Sequence, residues 1–175
     1  MDMGQDFLRA QVNNCIVQHQ TLLDALRTHA HQADDPQFRE LCVRYLATME
    51  RHQVMIEAYG ITIGTRGDGA VKNAIGAVLG KARDVVDAFR ETDFLRVVGD
   101  IVMIRQAQDT FGTFARAGRI LGDAKLVELG QTCEADHDAM QREFNLYIAT
   151  LFSAHVNGTA TSTPSPAASS SKMRA

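Results

Sequence analysis

A chain of 175 residues with 45% apolar side chains can bury one substantial core, and nothing in its length calls for a second domain. Eighteen Lys and Arg against 21 Asp and Glu leave a formal charge of −3, too small and too evenly spread to draw the chain to nucleic acid or to an anionic membrane. Met1 to Val12 shows no basic cluster followed by an apolar run, and no segment reaches the ~18 apolar residues needed to cross a bilayer, so a cytoplasmic protein is expected.

The first element expected is a helix from Asp6 to about Ala30, where Leu8, Val12, Cys15, Ile16, Leu22, Leu23 and Leu26 recur at spacings of three and four. The segment His31 to Asp35 breaks it. Asp35 is a good N-cap, and Pro36 suits the first helical position, where a backbone N–H would find no partner in any case. The second helix runs from Pro36 to about Tyr59 with Phe38, Leu41, Cys42, Tyr45, Met49, His52 and Ile56 inward, and the short link sets it antiparallel to the first. Dense glycine between Gly60 and Gly69 ends it, and Ala70 to about Arg90 reads as a shorter helix within a long crossover. A third core helix follows from Asp93 to about Leu121, with Phe94, Val97, Val98, Ile101, Ile104, Phe111 and Ala115 on one face. After the tight link Gly122-Asp123, a fourth extends to about Phe152, with Leu126, Cys133, Met140, Phe144, Tyr147, Ile148 and Leu151 inward. Residues 1–157 are therefore expected to form one all-α domain, an up-down four-helix bundle of ferritin-like connectivity with an extra crossover helix between the second and third core helices. Residues 158–175, rich in Ser, Thr, Pro and Ala, have too little apolar surface to repay the entropy of folding and read as a disordered tail.

Most motifs in the chain carry no chemistry. Cys15, Cys42 and Cys133 lie far apart on or beside apolar stripes, which suits buried, inert thiols rather than a disulfide framework or a thiolate zinc site. Gly76 to Ala82 superficially resembles a phosphate loop, but it is one residue short, lacks the Ser or Thr that holds magnesium and follows no strand.

The informative feature is a set of polar residues on the apolar stripes. His19 continues the stripe of the first helix, His52 lies between Met49 and Ile56, Gln108 between Ile104 and Phe111, and His137 between Cys133 and Met140. His19 and His52 are each about 16 residues from the first hairpin turn, and Gln108 and His137 about 15 from the second, or ~23 Å along the axis. With both turns at one end of the bundle, the four side chains meet in one layer, flanked by Glu50, Asp109 and Glu134. Neutral imidazole is a good transition-metal ligand, and three histidines with a Gln or a carboxylate have the donors to hold one ion such as Fe, Mn or Zn. Affinity for it should weaken as pH falls below the ~6.5 of free histidine. A lone inward histidine is ordinarily a hydrogen-bonded core residue, so a hydrated polar layer is the competing state.

The run His19-Gln20-Thr21-Leu22-Leu23, the pair Asp35-Pro36 and the run Glu50-Arg51-His52 resemble the first hairpin of the YciF-type ferritin-like family of bacterial stress-associated proteins. Phe111-Gly112-Thr113 and Leu121-Gly122-Asp123 repeat the resemblance more weakly in the second hairpin. It implies a stress-associated bundle acting as a homodimer. Departures fall on the metal ligands: His19 stands where the family carries Glu, the ExxH pattern survives only at Glu134 to His137, and the third helix offers Gln108 and Asp109 in place of a carboxylate on the stripe. A degenerate, His-rich site is the expectation rather than a di-iron ferroxidase, which needs Glu bridges. The alternatives are a mononuclear His-rich metalloprotein in redox or metal handling, and a metal-free helical scaffold for a protein partner.

Overall fold

The computed structural model describes residues 3–65 and 92–158, and these contain four helices and no strand. They are α1 (Met3–Gln32), α2 (Pro36–Thr62), α3 (Asp93–Leu121) and α4 (Ala124–Val156). The shorter helix expected over Ala70 to Arg90 and the tail beyond Gly158 lie outside the described residues. None of the four helices is long and apolar enough to cross a membrane.

Each hairpin turn is fixed by its own chemistry. Asp35 caps α2 by accepting from Gln37 N–H at 2.7 Å, with Pro36 in the first turn. Gly122 ends α3 in the left-handed region at φ 69°, and Asp123 caps α4 by accepting from Leu126 N–H at 3.0 Å. Among the described glycines, Gly130 sits tightest against a neighbouring backbone: a Cβ atom there would meet Phe111 O at 2.7 Å and the backbone of Ala115. That contact sets the register of α3 against α4.

The four helices form a square in which α1 packs on α2 and α3, and α4 packs on α2 and α3. Asp35 N–H donates to Asp93 Oδ2 at 2.6 Å, so the α1–α2 turn sits beside the start of α3. Tyr59 O–H donates to Asp123 Oδ2 at 2.8 Å, so the α3–α4 turn sits beside the end of α2. The two turns are therefore at opposite ends, not at the shared end expected from sequence. Thr65 and Thr92 consequently lie at opposite ends too. Adjacent helices are antiparallel, while α2 and α3, on a diagonal, point the same way.

Two apolar clusters fill the interior. One, near the α1–α2 turn, includes Leu22, Leu26, Phe38, Met49, Ile104 and Phe144; the other, near the α3–α4 turn, includes Val12, Ile56, Phe111, Leu126 and Leu129. The start of α3 departs from the expected phase. Asp93, Val97 and Asp100 face inward, Val98 is 36% exposed, and Phe94 and Ile101 are half-buried. Hydrogen bonds to the first hairpin hold this phase, from Asp35 N–H to Asp93 and from His29 to Asp100.

Candidate metal centre

Between the two clusters lies a polar layer. His19 of α1, His52 of α2 and His137 of α4 are at most 1% exposed, and their ring centroids stand 5.3–6.0 Å apart. The remaining helix, α3, contributes Phe111, whose ring packs on all three imidazoles at 5.1–6.3 Å. One nitrogen of each histidine lies within 4.8 Å of one nitrogen of each of the others. The layer forms despite the displaced turn because helices of 27–33 residues have their midpoints about equally far from either end.

The hydrogen bonds around the layer determine each tautomer. His19 Nδ1–H donates to Gln53 Oε1 at 2.9 Å, and the Gln53 amide is oriented by its own Nε2–H donating to Glu57 at 2.7 Å. His52 Nε2–H donates to the Asp136 carboxylate at 2.9 Å. His137 Nδ1–H donates to the carbonyl of Cys133 at 2.7 Å. A neutral imidazole has one N–H, and each ring has given it away. His19 Nε2, His52 Nδ1 and His137 Nε2 are left as buried lone pairs to which no protein group among the described residues bonds.

Burial keeps these rings neutral. It lowers the pKa of His19 to about 4, against the opposing hydrogen bond to Gln53, and neighbouring His52 lowers it further. His137 is lowered to about 3, by burial first and then by His19. For His52, burial outweighs the opposing pull of Asp136, and the shift is again downward. Protons therefore compete for His19 and His137 only far below the pH 6.5 expected from free histidine. An ion bonded to three imidazoles at ~2.0–2.1 Å sets their nitrogens about 3.4 Å apart, inside the 4.8 Å within which one nitrogen of each ring already lies.

The remaining sequence candidates fall around this layer rather than in it. Gln108 on α3 donates to Asp138 at 3.1 Å and keeps a buried Oε1 without a protein partner. Glu50 and Asp109 are exposed and paired with Arg27 and Arg105, at 2.9 and 3.2 Å. Glu134 lies against Gly112, where the absence of a side chain leaves room for its carboxylate. Sequence reasoning missed Gln53 and Asp136, which orient two of the rings. Asp136 was detectable only as a carboxylate beside His137, because it serves a histidine on another helix.

A second group was missed altogether. His29 of α1, Cys42 of α2 and Asp100 of α3 are all buried, with one donor atom of each within 4.8 Å of the others, and His29 Nδ1 lies 2.8 Å from Asp100 Oδ2. The carboxylate that the third helix was expected to lack on its inner stripe is Asp100, hidden from sequence reasoning by the phase of α3. Cys15 and Cys133 are buried free thiols, raised in pKa by burial. Comparison of the chain with protein-family models, with curated proteins and with solved structures finds no match.

Proposed function

We propose that this chain is a four-helix-bundle metalloprotein holding one transition-metal ion, of the Zn, Fe or Mn kind, on His19, His52 and His137. One observation carries the reading: three imidazoles have committed their only N–H groups outward and keep their lone pairs buried in the same layer. Three acceptors have nothing to give one another. A water molecule donates two hydrogen bonds and satisfies two of them, while an extra ring proton is opposed by burial. A divalent ion satisfies all three and suits neutral imidazole. Unsatisfied, the lone pairs cost about 1–3 kcal/mol each, a large part of the 5–15 kcal/mol that holds an ordinary domain together.

Three protein ligands leave a tetrahedral ion one further position, for water or a small anion. When bound, the ion supplies Lewis acidity, or one-electron chemistry if it is iron or manganese. The protein's part is to hold the three rings neutral, fix their tautomers through Gln53, Asp136 and Cys133, and exclude bulk water with Phe111 and the apolar clusters. The resemblance to the YciF-type family supplies the wider role in this reading, a cytoplasmic stress-associated protein working as a homodimer. Its imidazole ligands differ from a di-iron carboxylate centre, and ferroxidase chemistry is not part of the proposal.

The test is elemental analysis of untagged protein, native and after incubation with Zn2+, Fe2+ and Mn2+, beside His137→Leu. The variant should hold one ion fewer per chain, and its metal-free form should be more stable by about 1–3 kcal/mol because a buried lone pair is gone. Equal metal content in the two proteins would refute the site.

A further inference from the structure

We propose that His29, Cys42 and Asp100 form a second, mixed-donor cation site that takes one divalent ion with affinity for sulfur, of the Zn2+ or Co2+ kind. The three donors come from three helices, all are buried, and their atoms already lie within 4.8 Å of one another. His29 stands ten positions beyond His19 on α1, and Cys42 ten positions before His52 on antiparallel α2. Both intervals place this group roughly 15 Å from the trihistidine layer, toward the α1–α2 turn, so it is a separate site.

Its chemistry differs from the first site's. A thiolate, a carboxylate and a neutral imidazole together carry two negative charges, which a divalent ion cancels, leaving no net charge in the interior. On binding, the Cys42 thiol loses its proton to solvent, the His29 ring moves its N–H from Nδ1 to Nε2, and the ion comes between His29 Nδ1 and Asp100, which now lie 2.8 Å apart. The trihistidine layer offers only neutral ligands and retains the ion's full charge. Sulfur and carboxylate therefore make this second position the one suited to hold an ion without a further anion.

The experiment is titration of the full, reduced, untagged chain with Co2+, followed in the near ultraviolet, where a thiolate bound to cobalt gives a charge-transfer band and imidazole does not. The band should saturate at one Co2+ per chain, persist in His137→Leu and vanish in Cys42→Ala. In Asp100→Asn it should need at least tenfold more Co2+. Cobalt bound without the band in the unaltered chain would overturn this site while leaving the trihistidine site standing, and needs no variant to fold. A band that survives Cys42→Ala would assign the sulfur to Cys15 or Cys133 and overturn it equally.

Discussion

Asp136 touches no ligand nitrogen that faces the layer, yet it decides which nitrogen of His52 does. Its carboxylate accepts from Nε2–H and is itself held by Arg51 at 2.9 Å. Asp136→Asn would present an amide that satisfies the ring less well and removes a charge that raises its basicity, and metal affinity should fall about 10–100-fold. Competition with a chromophoric chelator measures this; an unchanged affinity would remove Asp136 from the site. Proton linkage gives a second expectation. In the metal-free chain the folded pKa values of His19 and His137 lie near 4 and 3, below the 6.5 of the unfolded chain. As pH falls below 6.5 the unfolded state takes up protons first, so stability is lost, by about 2 kcal/mol for each of these histidines between pH 6.5 and 5. Urea unfolding at the two pH values checks it, and bound metal should raise stability at both while leaving the difference in place, because the native rings carry no proton above pH 5 with or without an ion. The three histidines were legible in sequence because each interrupts an apolar stripe with regular spacing. Their outward partners were not, since Asp136 acts across a helix interface that no spacing along one helix reveals.

At the scale of the element, the caps at Asp35 and Asp123 were readable from sequence because capping is local chemistry. The phase of α3 was not. Its first turns carry apolar residues on more than one side, and the choice among them is made by Asp93 and Asp100 bonding to the first hairpin. The end at which the second turn sits also escaped, because it is fixed by contacts between the hairpins, Asp35 with Asp93 and Tyr59 with Asp123, which no spacing along one helix reveals. Gly130 is the element's sharpest constraint. Gly130→Ala would set a methyl group against the backbone of Phe111 and Ala115, which no rotamer change relieves. The helices should part and the chain lose about 1–3 kcal/mol, with metal affinity falling as His137 moves away from α1. Thermal unfolding together with metal titration tests both parts, and unimpaired stability would show that α3 and α4 slide freely.

For the molecule as a whole, the trihistidine layer joins what the chain keeps apart: α1 and α2 supply two rings, and α4 supplies the third. Such a site does not exist until the two hairpins have met. Seen as rates rather than affinities, an ion there acts after the folding barrier has been crossed and stabilises little of the transition state. Added Zn2+ should slow unfolding of the metal-free protein about tenfold for every ~1.4 kcal/mol of binding, and leave its refolding rate within about a factor of two. Stopped-flow chevrons with and without the ion separate the two arms. Refolding that quickens with Zn2+ would instead mean that His19 and His52, partners within one hairpin, capture the ion before α4 arrives, and that metal guides assembly of the bundle as well as prolonging its life.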